Sequence, residues 1–275
     1  MYPNSFFGIV TLYDILIGVG VLLAMLVFGH AADKRKISGK LQRFTLIYAC
    51  LAIVAGLGSA VLFQAIYNIE REGGFVINKG TGATFYGGLI GGVTVFLALY
   101  FIVGHLIYKK TETPSYHKEN FFSIMSCAVA AVALGHGFGR LGCLTAGCCH
   151  GAITDAWYGI PMYVNKEWNT YVPTQLFEAI FLFLLFAFLF INARSKGRFN
   201  LPIYMGAYGA WRFVLEFVRN DYRGTIGFAI TPSQFISILM VVGAVGVFVI
   251  EKIYTDKIKA KMALDKNEAA QGENN

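Results

Sequence analysis

Runs of about twenty apolar residues recur along the chain, separated by short clusters of charge. They fall near 10–29, 44–66, 85–108, 121–139, 174–192, 201–218 and 231–250. A helix rises about 1.5 Å per residue, so runs of this length match the roughly 30 Å hydrocarbon core of a bilayer. The pattern predicts an all-α polytopic bundle of seven membrane helices. Glycine and arginine enter the fourth and sixth runs near their ends, which makes those boundaries the softest. No proline-rich linker and no internal repeat interrupts the series. The expectation is one transmembrane domain over 1–250, with its longest external loop at 140–173, followed by a basic tail over 251–275.

Composition confirms the class and charge supplies an orientation. The chain is 56% hydrophobic and 14% charged, with a mean hydropathy of +0.56, whereas soluble domains are about one quarter charged. The net charge of +7 does not point to nucleic acid, because no Lys/Arg patch interleaved with aromatics stands on a polar domain. Sixteen of the 23 basic residues instead fall in alternate connections, from Lys34 to Arg43, at Lys109, Lys110 and Lys118, from Arg194 to Arg198, and in the tail. Positive residues collect on the cytoplasmic side, so the amino terminus is expected outside and the carboxyl terminus in the cytoplasm. The first run lacks a basic segment before it and carries Asp14, so no cleavable signal peptide is expected. The tail is open to two readings, a short helix on the anionic inner leaflet or a solvated basic segment.

Ionised groups inside such runs are costly and mark function. In "YMGAYGAWRFVLEFVRN", Tyr208, Arg212, Glu216 and Arg219 share one helical stripe. One reading is a self-neutralising Arg212–Glu216 pair. The other adds Arg140, at the outer end of the fourth run, so that two or three guanidiniums meet an anion whose oxygens suit their planar fork. On a membrane protein the phosphate at hand is a phospholipid headgroup. The fifth run opens "VPTQLFEAIF", with Pro173 suited to a first turn and Gln175 and Glu178 on one face; Glu178 either pairs with an external arginine or orients a site arginine. The third run opens "TGATFYGGLIGG", whose glycines suit close helix packing and whose Tyr86 is either a belt aromatic or a headgroup partner. The stretch "GHGFGRLGCLTAGCCHG" holds His136, Arg140, Cys143, Cys148, Cys149 and His150. Its cysteines admit a disulfide, a reactive thiol, a zinc site of unusual spacing, or simple packing in a tight turn.

The segment "GRLGCLTAGCCHG" resembles the GR-x-G-x-F-x-x-G motif of the prolipoprotein diacylglyceryl transferase family. "YDILIGVGVLLA", "FYGGLIGG", "PTQLFEA" and "YGAWRFVLEFVR" are similar to further family segments in the same order. The resemblance implies a bacterial inner-membrane enzyme whose active site faces the outer leaflet. Such an enzyme transfers diacylglyceryl from phosphatidylglycerol to a lipobox cysteine of a secreted prolipoprotein and releases glycerol phosphate, without a cofactor. It implies Arg140 and Arg212 as the phosphate-facing arginines, with Glu216 and Arg219 following. Tyr13 and Tyr208 match its aromatic hydroxyl positions, Gly139, Gly142 and Gly151 its motif glycines, and Gln175 and Glu178 its P-[ST]-Q-L-[YF]-E element. The sequence departs from the family at Tyr86, where a histidine is usual, at Cys143, where asparagine is usual, and at Cys148, where glutamate is frequent. His136 and Tyr86 then stand as candidates for the base. A GC…GCC variety occurs among relatives, so the chain reads as a divergent member or a paralogue. The alternatives are a membrane thiol enzyme working through its external cysteines on another acceptor, and a non-catalytic phospholipid-binding protein.

Overall fold

A computed structural model describes residues 10–69, 73–78, 81–82, 84–111, 115–164, 167–219 and 230–272, with the side chains of Phe85, Tyr86 and 261–272 outside that set. The chain is mostly helical. In order it forms α1 (Leu12–Lys34), α2 (Gly39–Tyr67), α3 (Phe85–Ala98), a π-helical turn (Leu99–Val103), α4 (Gly104–Tyr108), α5 (Tyr116–Glu119) and α6 (Phe121–Ala146). Then come strands β1 (Ile160–Val164) and β2 (Glu167–Tyr171), α7 (Thr174–Arg194), α8 (Asn200–Leu215), a 3-10 turn (Glu216–Val218) and α9 (Pro232–Gly272). Residues 36–121 form one compact unit and the rest of the chain another.

Among the described residues, six helical stretches are long and apolar enough to cross a membrane: α1, α2, Gly87–Tyr108, α6, α7 and the Pro232–Ala260 part of α9. The chain is therefore a polytopic helical membrane protein. The expected sixth run is the shorter α8 of 16 residues, about 24 Å of helix. It tightens into a 3-10 turn at Glu216, where the charged stripe begins to interrupt the apolar run.

Three expectations change. The external segment is not purely α-helical or irregular: β1 and β2 form an antiparallel hairpin with Ile160 opposite Tyr171 and Val164 opposite Glu167. Helix α6 continues to Ala146, so Arg140, Gly142 and Cys143 sit on helix rather than in a loop beginning at 140. The backbone of the basic tail continues α9 to Gly272 instead of starting a helix of its own.

In the unit 36–121, α2 and α3 approach closely through small residues. A methyl group on Gly56 would stand 2.9 Å from the Gly88 carbonyl, and one on Gly91 would overlap Ser59. The Ser59 hydroxyl donates to the Gly87 carbonyl at 2.8 Å. Lipid tails give no hydrophobic drive between helices, so such close backbone contact and interhelical hydrogen bonds supply the adhesion. The other unit packs Ala130 and Ala133 of α6 against Leu185 and Leu189 of α7, flanked by Phe181, Phe186, Phe190 and α8's Ile203, Tyr204 and Ala207.

A polar knot closes one end of this second unit. Arg35, just past α1, donates to the Ala193 carbonyl at 2.7 Å, to the Ser126 hydroxyl at 2.9 Å and to the Gly197 carbonyl. The buried Asn200 amide reaches the carbonyls of Ser126 and Leu189, and Glu251 accepts from the Phe199 backbone N–H at 2.9 Å. The Arg35 bond answers the Ala193 carbonyl in the last turn of α7, which would otherwise lack an intrahelical partner. These bonds also tie α1, α6, α7, α8 and α9 together at one level. Arg35→Met removes all three donors, and bonds to a charged donor are worth about 1.5–3 kcal/mol each. The variant is expected to lose at least about 4 kcal/mol in reversible unfolding from mixed micelles, with Arg35→Lys recovering part of it.

Candidate functional site

The other end of α6 carries the candidate site. Fourteen residues separate Ser126 in the knot from Arg140, about 21 Å along the helix. There α6, α7 and α8 converge on one carboxylate. Glu178, on the first turns of α7 and fully buried, accepts from Arg140 Nη2 at 3.0 Å and from the Tyr208 hydroxyl at 2.7 Å. His136, one turn before Arg140, places Nε2 4.0 Å from the same carboxylate and Nδ1 3.3 Å from the Tyr204 hydroxyl. Its ring meets Tyr208 edge-on at 4.9 Å.

A second carboxylate gathers the charged stripe of α8. Glu216 faces Arg212 Nη2 at 2.8 Å and Arg219 Nε at 4.0 Å, and accepts from the Thr231 hydroxyl at 2.9 Å. Arg212 also reaches the Ser233 hydroxyl at 3.2 Å. His136 lies within electrostatic reach of both Arg140 and Arg212, and Tyr208, one turn before Arg212, donates to the carboxylate that pairs Arg140. Three guanidiniums against two carboxylates leave one positive charge in excess there. Arg140 Nε and Arg212 Nη1 are buried with no hydrogen-bond partner among the described residues, and an unanswered buried donor costs about 1–3 kcal/mol. An anion that arrives with spare oxygens relieves both the charge and the unmet donors.

The end of α6 explains the cysteines. Gly147 takes a left-handed φ of 70°. Its N–H bonds to the Leu144 carbonyl at 3.2 Å, and the Cys148 N–H bonds to the Cys143 carbonyl at 3.1 Å. This is a Schellman cap with Gly147 in the position that only glycine takes without strain. Such a cap brings the residue after the glycine onto the residue three before the helix end, here Cys148 onto Cys143. Cys149 follows at φ 61°, unusual for a side chain, and turns back toward the same point. The three sulfurs lie within 4.8 Å of one another, as free thiols. The Cys148 thiol donates to the Cys143 carbonyl at 3.6 Å, and the two neighbouring thiols, with Arg219 and Arg140 in electrostatic reach, hold the Cys149 thiol below the usual range. The start of α7 supports the turn from beneath. The Thr174 hydroxyl donates to the Cys149 carbonyl at 2.8 Å, and the Gln175 amide donates to the Cys148 carbonyl.

The remaining candidates fall at different distances from this centre. The Tyr13 ring packs on Gly142, where a methyl group would stand 2.9 Å from Cδ2. Gly151 pairs with Arg219 in an isolated bridge and has no room for a methyl group against the Val218 carbonyl. Gly139 borders open space, so no packing need for it is evident. The His150 Nδ1 meets the Gly151 carbonyl at 2.9 Å, away from the thiol group. Tyr86 belongs to the other unit and its side chain lies outside the described residues. Sequence reasoning missed Tyr204, Thr231 and Ser233. For the last two a signal existed: "TPSQ" is a capping box, in which Thr231 and Gln234 exchange bonds of 3.2 and 3.0 Å at the start of α9.

Comparison with known proteins adds identity to the geometry. A family model described as prolipoprotein diacylglyceryl transferase matches residues 6–250. The chain is 32% identical over 248 residues to phosphatidylglycerol–prolipoprotein diacylglyceryl transferase 2 of Clostridium perfringens, covering 88% of this chain and 91% of that one. It is 32% identical over 252 residues to the phosphatidylglycerol–prolipoprotein diacylglyceryl transferase of Clostridium tetani, covering 87% and 92%. Against the Finegoldia magna enzyme of the same name it is 30% identical over 248 residues, covering 88% and 91%.

The buried contact of Arg140 with Glu178 is open to a direct check. Removing one partner of a buried ion pair costs about 3–5 kcal/mol, while replacing both by apolar groups is close to neutral. Glu178→Leu is expected to lower the unfolding midpoint in detergent sharply, and the Arg140→Met/Glu178→Leu double variant to recover most of the loss.

Proposed function

The chain belongs to the prolipoprotein diacylglyceryl transferase family, and from that premise we propose that it moves the diacylglyceryl group of phosphatidylglycerol onto the lipobox cysteine of a prolipoprotein, releasing glycerol phosphate. The observation that supports this reading is that Arg140, paired with Glu178, and Arg212, one turn after the Tyr208 that donates to the same Glu178, both lie within electrostatic reach of His136, each with a buried N–H lacking a partner among the described residues. In the proposed reaction these guanidiniums hold the phosphodiester. The acceptor sulfur attacks the glyceryl carbon, the carbon–oxygen bond to phosphate breaks, and charge grows on the leaving glycerol phosphate. Preorganised donors aimed at that charge lower the barrier without reorganising. Glu178 and Glu216 set the arginines' directions and keep the site's net charge near +1, so that a phosphodiester and not a dianion is the better match.

His136 is the candidate base, held between Glu178 and the Tyr204 hydroxyl. Tyr13, Tyr208, Gln175 and the motif glycines are read as shaping the donor's seat. An apolar groove on α7 and α8, lined by Phe177, Ile180, Phe181, Leu184 and Trp211, suits an acyl chain. The proposed topology has seven crossings, with α8 and its 3-10 turn as the sixth. The site then stands at the outer leaflet of the bacterial cytoplasmic membrane, and the Arg35 knot and basic tail face the cytoplasm. The alternation of basic residues and the separation of knot and site along α6 support that orientation. Residues 1–250 act as one membrane domain and 251–275 as its basic tail.

The test is transfer from phosphatidylglycerol to a lipobox peptide, followed by mass spectrometry of the peptide. The wild-type protein is expected to add one diacylglyceryl group. Arg140→Ala and Arg212→Ala are each expected to lower the rate by about 100- to 1,000-fold, the cost of losing one donor to a developing oxyanion. Normal transfer by either variant overturns the clamp.

A further inference from the structure

The three thiols at the end of α6 are not used by the phosphate clamp, and their arrangement has a chemistry of its own. Cys143, Cys148 and Cys149 converge to within 4.8 Å on a turn whose bends, at Gly147 and Cys149, serve to aim them. A tetrahedral thiophilic cation with bonds of about 2.3 Å to sulfur needs sulfurs roughly 3.8 Å apart, a closure of about 1 Å that side-chain rotation supplies. No histidine or carboxylate joins the group among the described residues, so three ligands leave the fourth position open. Cys148 is exposed while Cys143 and Cys149 are half-buried, so the group has a face toward which another ligand can approach. Structural sites of this kind close with four protein ligands, whereas three ligands and an open position mark a site that works on what it binds.

We propose that Cys143, Cys148 and Cys149 hold a zinc-like divalent cation whose open position takes the acceptor cysteine as a thiolate. The inference rests on the transferase reading and deepens it by naming how the acceptor sulfur is activated. Arg140 lies three residues before Cys143 on the same helical face, and Arg140 and Arg219 are in electrostatic reach of Cys149, so the site's excess positive charge offsets part of the negative charge of four sulfurs around one dication. On joining the cation the acceptor thiol loses its proton to water. Its sulfur pair then forms the bond to the glyceryl carbon, and the carbon–oxygen bond breaks toward the phosphate held by Arg140 and Arg212. The product thioether is a far weaker ligand than a thiolate and leaves. No oxidant or reductant enters. A metal-bound thiol is deprotonated outright, so the cation takes over the activation otherwise asked of His136, and no base is needed at Tyr86.

The experiment uses the full chain, purified anaerobically in detergent and loaded with zinc or cobalt(II). Expected are one metal per chain, a tetrahedral sulfur-ligated cobalt spectrum, and loss of both in Cys143→Ser, Cys148→Ser and Cys149→Ser but not in Cys50→Ser. Adding a lipobox peptide is expected to shift the cobalt bands, and the same peptide with serine for cysteine is not. Cys149→Ser is expected to slow transfer about 100-fold through kcat, the low end of what activating a nucleophile contributes, while the KM for lipid stays. The inference is overturned by absence of metal binding, by binding of copper(I) alone, by a disulfide among the three in the native protein, or by full transfer in the triple serine variant. Metal binding and the peptide-dependent shift without any lipid adduct would leave the site standing and remove the transferase reading.

Discussion

A single buried carboxylate holds the architecture of the site together. Glu178 is almost inaccessible and would be intolerable as a lone charge at that depth. It is stable because Arg140 from α6 and Tyr208 from α8 both donate to it, and in doing so it fixes the mutual position of three helices. The constraint runs both ways. Arg140 cannot be buried without Glu178, and once paired its remaining donors point in a determined direction. Glu216 repeats the device for Arg212 and Arg219, with Thr231 supplying the third contact from the start of α9. The cost of burying five charged groups is offset by pairing, and pairing is also what turns flexible side chains into a preorganised anion seat.

The opposite end of the unit follows the same logic without the excess charge. Arg35, Asn200 and Glu251 satisfy carbonyls and N–H groups where helices begin and end. The α6 helix joins the two ends, with its middle lined by small residues against α7. Adhesion here depends on close packing and polar bonds, since lipid competes with every apolar contact. A span whose two ends are both tied by polar networks has little freedom to tilt or slide, which the distance between guanidiniums at the site requires.

Much of this was legible in the sequence and some of it was not. Apolar length alone located every long helix, and the rule that buried charge needs a purpose singled out Arg140, Arg212, Glu216 and Glu178. The partner of Arg140 stayed open because Glu178 lies 38 residues away on another helix, and periodicity speaks only within one helix. Helix α6 outran its apolar run because its last two turns rest on Tyr13 and on the cap, so composition placed the boundary too early. The β1–β2 hairpin was missed because a ten-residue strand pair carries little signal inside a segment read as loop. The tail's continuation of α9 was hidden for the opposite reason: a polar helix and a polar coil have similar composition.

The cap at Gly147 ties the chemistry of the donor to that of the acceptor. A Schellman turn commonly brings an apolar pair into contact across the helix end. Here the same geometry applies to Cys143 and Cys148, and the left-handed Cys149 adds a third sulfur. The contact that would ordinarily seal a helix end is therefore made of nucleophilic or metal-ligating groups. Arg140 sits one turn earlier on the same face, where side chains three apart start about 5–6 Å from one another. A displacement at carbon needs its nucleophile and its leaving oxygen on opposite sides of one atom, with reacting atoms about 3–3.5 Å apart in the approach. A long guanidinium reaching away from a short thiol, both rooted in one rigid turn, opens a gap of that order. The turn can thus set the span between the group that grips the phosphate and the group that presents the sulfur, and a rigid span is what a reaction between two bulky, separately diffusing substrates most needs.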